Sequence, residues 1–505
     1  MKNHPGRYHR LLLILTLTAL ILPFTVAAQQ NPSSQAAQVV DLRIMTFNIW
    51  VGGALVDFNR VVEAIESAEA DIVGLQEPTG NTRLLAERLG WHYSERTHVV
   101  SRFPLIELPD ADGAYVLAQI RPGEVVAVMN VHLPSDPYGP YAVRDGASLE
   151  EVLELERTTR LPAIEPFLAH VPSLLEAGIP VLLTGDFNAP SHRDWTEASV
   201  GQRPHLLYPV EWPVSLAVEA AGFRDTYRTI YPDPVQHPGI TWTYGYPHPR
   251  LRPDEALDRI DLVFAAGKVD VLDSQIVGER NGPGVNIPVD PYPSDHRGVV
   301  STIRVTPGIP PVFVAVEHQR IEAGEPFNVR YHAPDGEGTD RIAIFPANAS
   351  MTDTPLMWLP PYEVSFFGSV LFGSGTLTPG EYAAVLLGED NSERSRSVFW
   401  VVEPGAVPAV MTDRASYRVG QPITASWENA PGLRFDWLGI YAADDPDLYN
   451  NYLAFVYTGA RVAGSMVFDA DVLGEAMLPA GDYEVRLLLD DGYIVLASAH
   501  FTVTE

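Results

Sequence analysis

The chain contains no cysteine. That excludes disulfides, thiolate metal sites, a cysteine nucleophile and a lipid-modified N-terminal cysteine. Basic residues are scarce as well: 34 Lys and Arg stand against 64 Asp and Glu, a formal net charge of −30. This balance argues against a basic face that grips nucleic acid non-specifically. It does not exclude a nuclease, because a bound cation supplies positive charge locally. The sequence also lacks a polybasic segment suited to an anionic membrane. Beyond the N-terminus it has no apolar run long enough to span a bilayer.

What is present begins with an export signal. Lys2, Arg7 and Arg10 form a positive start, and residues 11–22 form an apolar stretch too short to cross a bilayer comfortably. Val26-Ala27-Ala28 then offers small residues before Gln29. The expectation is a signal peptide over 1–28, with an uncleaved anchor as the competing reading. A flexible leader follows over 29–40, and the mature chain is expected to be secreted or periplasmic. Export without disulfides suits a bacterial protein.

The 505 residues are too many for one ordinary domain, and 46% apolar content is ample for packed cores. Apolar periodicity predicts strands over 42–47, 71–75, 125–133 and 180–184. It predicts helices over 59–68 and 82–89, and one over 149–168 with a kink or break at Pro162 and Pro166. After Val305 the composition changes. Pro307, Pro310 and Pro311 make a stiff linker, followed by two segments that read as copies. Gly324-Glu325-Pro326 matches Gly420-Gln421-Pro422, 96 residues later, and Tyr382 matches Tyr483, 101 residues later. Short alternating strands at that period predict two immunoglobulin-like sandwiches over 312–404 and 408–505. The linker, with no metal-ligand cluster beyond it, predicts that they are separable from catalysis. They are candidates to bind a surface or a glycan.

Six short segments carry the chemistry: Met45-Thr46-Phe47-Asn48, Gly74-Leu75-Gln76-Glu77, Asn130-Val131-His132-Leu133, Thr184-Gly185-Asp186-Phe187-Asn188, Asp258-Arg259-Ile260-Asp261 and Ser294-Asp295-His296. Nearly all place an Asn, Asp, Glu or His at the end of an apolar run. A buried strand that stops at a polar residue projects it from the sheet rim, and several such strands make a polar pocket on a rigid scaffold. Hard oxygen ligands plus histidines suit Mg²⁺ or Mn²⁺ and an anionic oxygen substrate.

In this order the segments resemble the endonuclease/exonuclease/phosphatase superfamily, over roughly the middle half of the chain. The resemblance implies an α+β fold over 41–306: a two-layer β-sandwich flanked by helices, in four layers α/β/β/α. It implies a metal-dependent hydrolase acting on phosphate esters, most expectedly a phosphodiesterase. Glu77 matches the metal-binding glutamate, Asn48 the asparagine that shares the metal site, and Asp295 the metal-side aspartate. Asp186 matches the group that orients or deprotonates water, and Asn188 the donor to a phosphoryl oxygen. His296 matches the phosphate-contacting histidine, and Asp261 the carboxylate that hydrogen-bonds it. His132 matches a histidine that contacts phosphate or assists the leaving group. Asp258 and Arg259 read instead as a local structural ion pair.

The substrate is not legible. Tyr138, Tyr141 and Arg144 lie on an insertion after His132, and Trp242, Tyr244 and Arg250 on an aromatic and basic loop before Asp258. Both loops are expected to flank the pocket mouth, where the rings could stack on a base, a sugar or a headgroup. An extracellular nuclease and a phospholipase C or sphingomyelinase-like enzyme stay open, so nucleic acid remains a candidate partner. The sequence has no long apolar hairpin of the membrane-attacking kind. A different class of reading is a non-catalytic, phospho-ligand-binding adhesin, which loss of catalytic positions would favour; no expected position is lost.

Overall fold

The computed structural model describes residues 38–505 apart from 112, 246–249, 335–339, 351–352, 360–366, 444, 446–450 and 475–476. The expected signal peptide and most of the leader lie outside the described residues.

Two mixed sheets pack face to face. The first has the order β12 (Ile287–Val289), β11 (Val269–Glu279), β13 (Gly298–Val305), β1 (Val40–Asn48), β2 (Ile72–Gln76), β4 (Val99–Ser101), β3 (His92–Ser94). The second has the order β5 (Leu105–Ile106), β6 (Val116–Arg121), β7 (Glu124–His132), β8 (Val181–Asp186), β10 (Asp261–Ala266), β9 (Arg224–Asp225). Alternation along each strand divides its side chains between two faces. In β7, Val126 and Val128 point into the layer between the sheets, with Ile44, Ile72, Val263 and Val299. Val125, Ala127, Met129 and Val131 point the other way and pack on Ile164, Phe167 and Leu174 of the covering helices. The outer face of the first sheet is closed by helices Phe58–Ser67 and Thr82–Leu89, through Val61, Ile65 and Leu85. The result is the expected four-layer arrangement.

The predicted 149–168 helix breaks earlier than expected. Helices Leu149–Thr158 and Arg160–Leu168 meet at Thr159, where ψ is −73°. Pro162 has no N–H for the Thr158 carbonyl and its ring crowds it, so the fault falls upstream of the proline. Pro166 sits inside the second helix.

Beyond Val305 come two β-sandwiches of one topology, each a three-stranded sheet on a five-stranded one. Their cores centre on Val329, Ile344 and Phe399 and on Trp427, Ile440 and Phe501. In both, a matching tyrosine ties back to the main chain four residues upstream. Tyr382 donates to the Thr378 carbonyl at 2.7 Å, and Tyr483 to that of Pro479 at 2.9 Å.

The sandwiches are not detached modules. The proline-rich linker is pinned by paired backbone hydrogen bonds between Gly308 and Val125. Phe313 and Ala315 join the helical core over the second sheet. The last sandwich meets the catalytic body through a hairpin tip over 489–494. There Asp490 Oδ1 lies 2.5 Å from His98 Nε2, and Asp490 Oδ2 accepts the Gly80 N–H at 2.8 Å. Arg434 donates to the Gly113 carbonyl and lies over the Phe167 ring. The second repeat thus packs against the rest of the chain, a contact that the composition of the linker did not foretell.

Candidate active site

Strand polarity brings the six segments together. β1 and β2 are parallel, as are β7 and β8, so Asn48, Glu77, His132 and Asp186 all leave the C-terminal ends of their strands. β10 and β13 run antiparallel to β8 and β1, so their beginnings reach the same rim. Asp261 opens β10 directly opposite Asp186, and Ser294-Asp295-His296 leads into β13.

One oxygen is the focus. Asp186 Oδ2 accepts from Asn48 Nδ2 at 3.1 Å, and lies 3.6 Å from His296 Nε2 and 3.7 Å from His132 Nε2. Asp186 is only 1% exposed. Its other oxygen accepts the Asn188 N–H at 2.9 Å. Asn188 Nδ2 donates to the Leu133 carbonyl at 3.0 Å, which leaves its second amide hydrogen for a ligand. His296 is locked from behind, with Nδ1 3.0 Å from Asp261 Oδ2 and its ring against Trp242 at 4.6 Å. Burial pulls the His296 imidazole down, but Asp261 and Asp186 outweigh it, so its pKa lies well above the usual histidine value. That raised affinity for the proton suits contact with a phosphate.

Beside this array stands a second acidic group. Glu77 Oε1 accepts from Asn48 Nδ2 at 3.2 Å, and Glu77 Oε2 accepts the Val51 N–H at 3.0 Å. The Asp295 carboxyl is pushed up to about 6, by burial first and then by the neighbouring Glu77 and Asp186 carboxylates, against the pull of His296. A buried carboxyl such as Asp295 that resists ionisation beside other carboxylates fits a hard divalent cation. Asp186, Asp261 and His296 also bring ligand atoms within 4.8 Å of one another. There, however, His296 Nδ1 is committed to Asp261, and a raised imidazole pKa disfavours ligation through the ring.

Backbone strain concentrates at this rim. Trp50 (φ 56°), Val51 (φ 46°), Glu77 (φ 54°) and Asn188 (φ 47°) all occupy the left-handed region without being glycine. For β-branched Val51 this is costly, and such strain persists only where the surroundings over-determine it.

The rim opens into a cleft of about 970 Å³. Of the residues expected to contact substrate, Tyr138, Tyr141 and Trp242 line it; Arg144, Tyr244 and Arg250 are not among its described lining residues. Arg144 lies over the Tyr141 ring at 4.4 Å and pairs with Asp145, so it braces that ring. Tyr244 stacks against Arg297, and Arg250 is exposed. Part of that loop, 246–249, lies outside the described residues. The buried Tyr138 hydroxyl has no partner among the described residues. Asp258 and Arg259 do not pair with each other. Asp258 accepts from Trp195 and Arg203, whereas Arg259 bridges Asp194 and Asp225.

Sequence reasoning missed Trp50 and Val51, and the whole far wall of the cleft. That wall comes from the last sandwich and includes Phe435, Tyr457, Asp491 and Tyr493. Asp491 Oδ2 lies 3.8 Å from His132 Nδ1, across 359 residues of chain. The only local signal was Asp490-Asp491-Gly492, which reads as an ordinary hairpin turn.

The family model described as Endonuclease/Exonuclease/phosphatase family matches residues 45–296, a span that holds all six segments. An uncharacterised protein of Caenorhabditis elegans is 32% identical over 292 residues, covering 51% of this chain and 90% of that protein. Among solved structures, an endonuclease/exonuclease/phosphatase from Beutenbergia cavernae is 20% identical, covering 71% of this chain and 99% of that one, with a TM-score of 0.34. D. rerio TDP2, solved with a single-strand DNA product, is 17% identical, covering 52% and 98%, with a TM-score of 0.33. The chain belongs to the endonuclease/exonuclease/phosphatase family and is a divalent-metal-dependent hydrolase of phosphate esters.

Proposed function

We propose that the chain is an exported phosphodiesterase in which water attacks phosphorus in line with the departing ester oxygen. The observation that carries this reading is the convergence of Asn48, His132 and His296 on a single oxygen of Asp186. In the attack, a new P–O bond forms from water while the ester P–O bond breaks. Asp186 takes the water proton. The imidazolium of His296, fixed by Asp261, and the amide of Asn188 bind the phosphoryl oxygens as charge builds on them. His132, at the open side of Asp186, returns a proton to the leaving alkoxide. Asn48, Glu77 and Asp295 would hold Mg²⁺ or Mn²⁺, which supplies charge neutralisation at the phosphoryl oxygens.

The ring-lined cleft supports a diester over a monoester, because a second ester arm gives the walls something to hold. Export rests on the N-terminal signal over 1–28, with catalysis assigned to 41–306 and the repeats to 312–404 and 408–505. The test is nitrophenolate release from bis-p-nitrophenyl phosphate and from p-nitrophenyl phosphate, each with and without EDTA. The reading requires EDTA-sensitive turnover that favours the diester. Monoester preference or indifference to EDTA overturns it.

A further inference from the structure

We infer that the last sandwich supplies the specificity subsite of this phosphodiesterase, an aromatic wall that receives a ring-bearing, apolar arm of a small diester. The inference rests on the phosphodiesterase reading and deepens it.

The wall is built by three parts of one β-sandwich. Strand Ala454–Tyr457 lies at the edge of the five-stranded sheet and pairs only with strand Trp437–Ala442. Its alternation points Phe455 and Tyr457 outward on one face, 43% and 40% exposed. Large rings left open on an edge strand are a liability unless a ligand covers them. Here they face the cleft that contains Asp186 and both histidines.

The rings are also pre-arranged. Trp437 is buried at their centre, with Phe455 and Tyr493 packed edge-on at 6.0 Å and Tyr452 at 5.7 Å. Its indole N–H donates to the Gly492 carbonyl at 3.1 Å, which joins this hub to the hairpin tip. Tyr457 donates to Asp491 Oδ1 at 2.9 Å, and the other Asp491 oxygen faces His132. The wall is thus tied to the catalytic rim rather than merely near it. Edge-to-face rings with few rotamers lose little entropy when a flat apolar group stacks on them.

Size and charge narrow the ligand. The cleft volume matches a small molecule rather than a polymer. With the phosphate held between His132, His296 and Asn188, an ester arm must leave toward one wall of the cleft. On the sandwich side it meets aromatic rings with one carboxylate, Asp491, and one guanidinium, Arg434, so the rings offer the main contact and suit an apolar body.

The experiment compares two diesters that share a leaving group. Bis-p-nitrophenyl phosphate carries a second aryl arm, and methyl p-nitrophenyl phosphate carries a methyl in its place. The ratio of their kcat/KM values is measured for the wild type, Phe455→Ala, Tyr457→Ala and Phe455→Tyr. Differences in intrinsic reactivity cancel when ratios are compared across variants. Both alanine variants should lower the aryl-to-methyl ratio by about tenfold, the loss expected for one stacked ring, and Phe455→Tyr should restore it. Since both side chains are more than half covered and Tyr457 also holds Asp491, folding is checked by circular dichroism and thermal melting. In parallel, binding of diphenyl phosphate and dimethyl phosphate is followed by tryptophan fluorescence, which needs no turnover. A ratio unchanged within twofold, with equal binding of the two phosphates, overturns the subsite. If the wild type hydrolyses neither diester, the phosphodiesterase reading fails, and the binding comparison still judges the wall.

Discussion

Replacing Asp490 by alanine should loosen the cleft without touching a catalytic group. Asp490 stands at the hairpin tip and serves two partners in the catalytic body, His98 Nε2 at 2.5 Å and the Gly80 N–H at 2.8 Å. Both Asp490 and His98 are nearly inaccessible, at 1% and 6% of side-chain surface. Leaving a buried polar group without its partner costs about 1–3 kcal/mol. His98 should contribute near the top of that range and half-buried Gly80 near the bottom, so about 2–4 kcal/mol is lost from docking. The loss cannot exceed the docking free energy itself, because a released sandwich lets water satisfy both groups. Hydrogen exchange read by mass spectrometry is the direct assay. Amides over 77–82, 96–101 and 489–494 should exchange faster in the variant, while those of β7 and β8 keep their protection. kcat/KM for bis-p-nitrophenyl phosphate should fall with the displaced wall. Unchanged exchange at all three segments, with an unchanged denaturation midpoint, would refute the claim that this contact holds the sandwich on the rim.

Four further outcomes follow from the same geometry. Asp186→Asn keeps the size of the side chain and one of its two accepting oxygens but not its basicity, so kcat should drop by about 10²-fold or more; a large melting shift with intact turnover would make Asp186 structural. Arg259→Ala leaves the buried Asp225 carboxylate without its guanidinium partner, while Asp194 keeps Arg228, and should cost about 3–5 kcal/mol in denaturant unfolding. Glu95 and Asp436 are both pushed up to about 7, chiefly by burial. A carboxyl raised on folding gives stability that is complete near pH 4 and lost as pH climbs through about 7, so melting temperature should fall between about pH 5 and 8, and Glu95→Gln with Asp436→Asn should flatten that slope. Because the chain carries −30 net charge, any cleavage of long DNA should rise with moderate salt as repulsion is screened; a steep fall in rate would expose a basic groove.

The catalytic fold was legible because its strands announce themselves twice, by apolar alternation and by the polar residue at which each one stops. β7 and β8 are the plainest cases, ending at His132 and Asp186. What that reading could not reach is contact between distant elements. Asp258-Arg259 looks like an ion pair in sequence, yet each turns to partners tens of residues away, because adjacent side chains on an extended segment point to opposite faces. Likewise Phe455 and Tyr457 look like routine strand residues, and the hairpin tip like a routine turn. Their place on the cleft follows from docking, which leaves no periodic trace in the chain. The break at Thr159 was missed more narrowly, since the proline rule fixes which carbonyl is left unbonded rather than where the axis turns.

The most direct test of the central claim follows the oxygen atom. Hydrolysis of methyl p-nitrophenyl phosphate in H₂¹⁸O with Mg²⁺ should place the label in the phosphate monoester product and none in p-nitrophenol, with Asp186→Asn and EDTA each slowing label uptake in step with turnover. Label appearing in the phenol, or uptake by the variant at the wild-type rate, would contradict water attack at phosphorus directed by this rim.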